Sequence, residues 1–169
     1  MRAIDTFRSH FWAAGFFLFT CVIGYLARWA TGDIYSSAEA TVLIQALSRA
    51  GLYLASAIVT AAATTLALML TLIGMLKRME SDFDDRTYRN VDLIALLASF
   101  TMAIGLAVLL AFTLPVGEFE QLPPGWYIWL YEGLYAATVL MVGMFAATVT
   151  ILYRTVRQVI QRMTPGREV

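Results

Sequence analysis

Cysteine and histidine are almost missing from this sequence: each occurs once, as Cys21 and His10. A single thiol closes no internal disulfide and builds no zinc site. A single histidine cannot hold a haem from both faces, and it leaves no spare base for a histidine-dependent triad. No metal and no cofactor is therefore expected. Charge is scarce as well, with Asp, Glu, Lys and Arg making up 14 % of the chain and cancelling to a net charge of zero. A soluble domain averages about 25 % charged residues. A nucleic-acid reader shows a basic face or a known motif, and neither is present. There is no glycine-rich phosphate loop, no G-x-S-x-G elbow and no H-E-x-x-H. Proline occurs four times, always at position 115 or later. Discontinuous-helix transporters have spans interrupted near the midplane; no span here has an internal proline before its outer end, which argues against a transporter working alone.

What the sequence has in excess is apolar surface. Hydrophobic residues make up 60 % of the 169 positions, and the mean hydropathy is +0.70. A chain this short could not hide that much from water, and soluble proteins avoid exposing it. A bilayer removes the conflict. Four runs approach or exceed the roughly 20 apolar residues of a spanning helix: about 11–29, 52–76, 93–116 and 127–153. None carries a charge in its central portion. They are long and continuous rather than short and alternating, which favours helix over strand. Helices also satisfy their own backbone groups in lipid. Arg2 and Arg8 precede the first run, but its apolar core exceeds the roughly 7–15 residues of a signal peptide, so a retained helix is expected. The fold class that follows is all-α, a polytopic membrane protein with a four-transmembrane-helix bundle in one domain over 1–169.

Orientation follows from Lys and Arg. Ten of the twelve fall at the N-terminus, between the second and third runs, and in the C-terminal tail; only Arg28 and Arg49 fall on the other side. The expectation is a bacterial-type inner membrane with both termini cytoplasmic. Trp29, Trp126, Tyr127, Trp129 and Tyr131 would then anchor the outer interface, and His10, Phe11 and Trp12 the inner one.

The connections differ in character. Between the first two runs, Ser36 or Ser37 can cap a helix with Glu39 in its first turn. Val42, Leu43, Ala46, Leu47 and Ala50 follow at helical spacing. This predicts a short amphipathic outer segment before helix 2, or a long extension of helix 2, with Gly51 as the hinge. The loop holding Glu80, Asp82, Asp84 and Asp85 lacks the glycine and glutamate spacing of a calcium loop. Asn90 and Asp92 read as an N-terminal cap for the third helix. Gly117–Gly125, with Glu118, Glu120 and Pro123-Pro124, is short enough to make helices three and four antiparallel neighbours.

Few residues could carry chemistry. Glu132 lies a turn or two inside the fourth span, where an ionisable group is costly. Arg28 and Arg49 share its level and are its expected partners, as a gating cluster or as a packing brace. Ser56, Thr60, Thr64, Ala67 and Thr71 recur at three- and four-residue spacing along the second span. Small residues allow close helix contact in lipid, and hydroxyls can line a narrow path. Ala103/Ala107, Gly133/Ala137 and Gly143/Ala147 have the same small-xxx-small spacing. The pathway or gating candidates are thus Glu132, Arg28, Arg49, Ser56, Thr60 and Thr64.

The function expected from these residues is an oligomeric ion channel or pore-like transport protein, with the path between protomers. The alternative is a non-catalytic membrane subunit of a larger transporter or respiratory complex. The expected partners are the lipid bilayer and either further copies of the chain or a larger membrane complex, with no nucleic acid. The layout of four spans with both ends inside is similar to the small membrane subunit of tripartite carboxylate transporters, in layout alone and through no motif. An enzyme is not expected, since it would rest on Glu132 and Tyr135 only.

Overall fold

The computed structural model describes residues 2–32, 37–78, 85–114 and 124–163. They form four helices in chain order: α1 (Arg2–Thr31), α2 (Ser37–Arg78), α3 (Asp85–Phe112) and α4 (Pro124–Met163). Within them, Phe11–Thr31, Ala40–Gly74, Arg89–Phe112 and Trp126–Arg157 are long and apolar enough to cross a membrane. The bundle has the composition of a membrane protein.

The packing faces repeat every three and four residues. Along α2 the buried positions are Ala40, Ile44, Gly51, Ala55, Ile58, Ala62, Thr65 and Met69; along α3 they are Val91, Ile94, Ala98, Thr101, Gly105, Val108 and Phe112. This alternation is the seam of helices that pack nearly parallel or antiparallel. Most of its members are small or β-branched, Met69 and Phe112 being the exceptions, and small residues let helix backbones approach closely. Gly105 illustrates this: a Cβ there would stand 2.5 Å from Val59 Cγ2. Buried threonines fit the seam because each hydroxyl donates to its own helix, as Thr101 does to the Leu97 carbonyl at 2.8 Å and Thr138 to Leu134 at 2.8 Å.

α2, α3 and α4 pack on one another, and α1 packs chiefly on α4. α1 is the least covered of the four, with 11 % of its span buried against 39 % for α4. Three core clusters order the bundle along its length. Ala13, Met69, Val91, Ile94, Ala147 and Ile151 form one near one end. Ala55, Ile58, Val108, Phe112, Leu134 and Met141 fill the middle. Ile44 and Tyr131 close the other end. α1 and α3 therefore run one way and α2 and α4 the other, and α3 and α4 are the antiparallel neighbours their connection implied.

Two expectations are corrected. Of the two arrangements expected before helix 2, the long extension is the one found and the hinge is not: α2 runs unbroken through Gly51, whose hydrogen lets the Phe112 ring lie against the backbone. Glycine here answers to close approach and not to bending. Nor do Asn90 and Asp92 cap α3, which begins at Asp85 and already includes both. Ser36, Glu80, Asp82, Asp84, Pro115, Glu118, Glu120 and Pro123 lie outside the described residues.

Candidate functional site

Arg28 is placed by the last turn of α1, where a cation also meets the negative end of the helix. Glu132 is placed about two turns into α4. The docking of α1 on α4 brings them together. Arg28 Nε donates to Glu132 Oε1 at 2.7 Å, and Nη2 contacts the same oxygen. Arg28 Nη1 donates to the Gly32 carbonyl at 2.7 Å. Gly32 ends the helix at φ +80°, a conformation that suits glycine. The guanidinium lies 5.8 Å from the centre of the Tyr131 ring, within cation–π range.

A second tie runs beside the first. Tyr135 stacks on Tyr131 with ring centres 6.0 Å apart and donates its hydroxyl to the Gly24 carbonyl at 2.8 Å. Gly24 permits this approach, since a Cβ there would lie 2.6 Å from Val139 Cγ2. The side chains of Arg28 and Glu132 keep 23 % and 39 % of their exposure, and with Tyr25, Trp29 and Gly32 they line an open recess of about 360 Å³.

Arg49 does not line this recess. It stands exposed on α2, on the face away from α3 and α4. Tyr53, Ser56, Thr60, Ala63, Thr64, Ala67 and Thr71 are exposed along that same face. Its hydroxyls bond within the helix: Thr60 donates to the Ser56 carbonyl at 2.9 Å, Thr64 to Thr60 at 2.9 Å and Thr71 to Ala67 at 3.0 Å. The six candidates thus divide into two groups. Arg28 and Glu132 join α1 to α4, whereas Arg49, Ser56, Thr60 and Thr64 form an outward stripe on α2. The small-xxx-small pairs divide too. Gly143 and Ala147 are buried, with Phe17 of α1 against Gly143, whereas Ala103, Ala107 and Gly133 are exposed.

Tyr131 and Gly24 were not singled out as site residues by sequence reasoning. The spacing of Tyr131 and Tyr135 on either side of Glu132 was an available signal, because residues four apart share a helix face. Nothing local in the sequence marks Gly24 as an acceptor for α4. No family model matches this chain, and no curated protein or solved structure matches it.

Proposed function

We propose that this chain is the protomer of a homo-oligomeric, pore-like transport protein of a bacterial-type inner membrane, with both termini cytoplasmic. The observation that carries the reading is the outward face of α2. Bulky apolar side chains such as Leu96, Phe100, Leu106 and Leu110 cover the exposed face of α3, as lipid favours. The exposed face of α2 also carries Tyr53, Leu68 and Leu70, but between Tyr53 and Leu68 it offers Ser56, Thr60, Ala63, Thr64 and Ala67, with Thr71 a turn further on. Small residues suit a helix–helix contact in lipid. The threonine protons are committed to carbonyls, so the hydroxyl oxygens can turn lone pairs outward to water or an ion. Arg49 stands at the outer end of the stripe. A path along it would lie between protomers, in a ring of closed symmetry.

A second reading, a non-catalytic subunit of a larger membrane complex, draws on the thin cover of α1. Phe11, Phe16, Phe19 and Tyr25 are all exposed there, and a larger partner could cover them.

The test is reconstitution in liposomes with cross-linking in a Cys21→Ser background. Under copper–phenanthroline oxidation Thr60→Cys is expected to give disulfide-linked dimers, and Leu106→Cys on α3 is not. Ion flux is expected from the unsubstituted protein and is expected to fall to the level of empty liposomes in Thr60→Leu/Thr64→Leu. A protein that is monomeric in mild detergent and shows no flux would overturn the proposal. Stable co-purification with a multispan partner would favour the second reading.

A further inference from the structure

The recess between α1 and α4 pairs opposite charges inside an aromatic rim, and this arrangement has a natural ligand. The stretch of α4 from Glu132 to Arg154 is about 33 Å long at a helical rise of about 1.5 Å per residue. Arg154 sits 5.7 Å from the Trp12 ring at the inner end of α1. A hydrocarbon core is about 30 Å thick. If Arg154 and Trp12 mark one boundary, the Arg28–Glu132 pair lies at the headgroup level of the other. Trp29 and Trp129, 75 % and 80 % exposed, stand at that level, where indole rings prefer to be.

We infer that the recess lined by Tyr25, Arg28, Trp29, Gly32 and Glu132 binds the zwitterionic ammonium–phosphate headgroup of a phospholipid. The headgroup lies antiparallel to the protein's own ion pair. Its phosphate meets the Arg28 guanidinium, a strong phosphate partner. Its ammonium meets the Glu132 carboxylate and the faces of Tyr25 and Trp29, which attract cations. Gly32 keeps the rim open, since a Cβ there would meet nothing within 4 Å. The recess volume falls within the range of small-ligand sites.

A lipid is the source that fits the rest of the surface. On the face of α1 that bears Tyr25 and Trp29, the next exposed residues toward the midplane are Val22 and Leu18. They give the acyl chains an apolar track below the headgroup. A soluble phosphoamine would gain nothing from that track. An anionic headgroup without an ammonium would leave Glu132 facing a like charge. The inference requires the bundle to lie in a bilayer, but it holds whether or not protomers form a pore.

Native mass spectrometry of the full chain, released from mild detergent with equimolar palmitoyl-oleoyl phosphatidylethanolamine and phosphatidylglycerol, tests it. The ethanolamine lipid is expected to be enriched about tenfold over the glycerol lipid, the scale of one hydrogen-bonded charge. Glu132→Gln is expected to bring that ratio close to one. Trp29→Leu leaves the ion pair intact and is expected to lower the ratio about 2–5-fold. Because the ratio is read within one preparation, a change in the amount of folded protein does not alter it. Equal binding of the two lipids by the unsubstituted protein, or an unchanged ratio in both variants, would overturn the inference. Free O-phosphoethanolamine is expected not to displace the lipid at equal concentration, and displacement would overturn the assignment to a lipid.

Discussion

Gly105 and Gly133 sit in apolar helices of the same bundle and answer to opposite pressures. A methyl at Gly105 would meet Val59 Cγ2 at 2.5 Å and Met141 Sδ at 3.3 Å, whereas a methyl at Gly133 would meet nothing within 4 Å. Alanine favours a helix over glycine by about 1 kcal/mol, and overpacking costs about 1–3 kcal/mol. Val59 is β-branched and stiff, so it yields poorly. Gly105→Ala is expected to lose about 1–2 kcal/mol net, and Gly133→Ala to be neutral or to gain up to about 1 kcal/mol. Reversible unfolding in mixed micelles measures both; equal effects would show that the α2–α3 contact does not hold as described. Residue-scale legibility was uneven in the same way. Glu132 could be found because a lone carboxylate inside an apolar run is conspicuous, and Arg28 because charge complementarity and level named it. Arg49 was assigned to the same cluster because level is readable from sequence and helical phase relative to a neighbour is not. Its side chain leaves α2 on the far side.

The same limit governs whole elements. α2 carries two stripes of three- and four-residue spacing, on opposite faces. One runs through Gly51, Ala55, Ile58, Ala62 and Thr65 and is buried; the other runs through Ser56, Thr60, Thr64 and Ala67 and is exposed. In water, burial would pick the apolar stripe. In hydrocarbon that preference vanishes, so periodicity reports a face without saying what the face meets. α1 has a simpler situation, because most of its contacts are with α4. They include Gly24 under Val139, Phe17 over Gly143, the Tyr135 hydroxyl, the Arg28 pair and Arg154 over Trp12. Replacing Gly24 would push away both Val139 methyls and the Tyr135 contact together. If residues 1–36 and 37–169 are expressed as separate pieces, they are expected to co-purify in mild detergent. Gly24→Leu is expected to leave most of the α1 piece unbound, while Gly15→Leu, with open space around it, retains it. Equal retention of the two variants would show that α1 docks elsewhere.

At the scale of the whole molecule, the number and type of elements were legible because the apolar solvent that the composition implies would dictate them. Hydrocarbon leaves helices and closed barrels as the available spanning forms, and long unbroken apolar runs select the helix. The lengths were less legible. α2 has 42 residues and α4 has 40, about 63 and 60 Å at the helical rise, or about twice the hydrocarbon thickness. Hydropathy marks where lipid contact is tolerated but not where a helix stops, and both helices continue past the apolar stretch. Their excess length gives the proposed orientation a direct test. Trp126 and Arg157 are both exposed near opposite ends of the span in α4. In a Cys21→Ser background, an impermeant maleimide is expected to label Trp126→Cys but not Arg157→Cys on intact spheroplasts, and Arg157→Cys but not Trp126→Cys in inverted vesicles. Labelling of both from one side would mean that α4 does not cross. A reversed pattern would mean that the cluster of ten cations lies outside, against the bias that Lys and Arg impose on topology. The Arg28–Glu132 recess would then face the cytoplasm, with its aromatic rim at the headgroups of the inner leaflet.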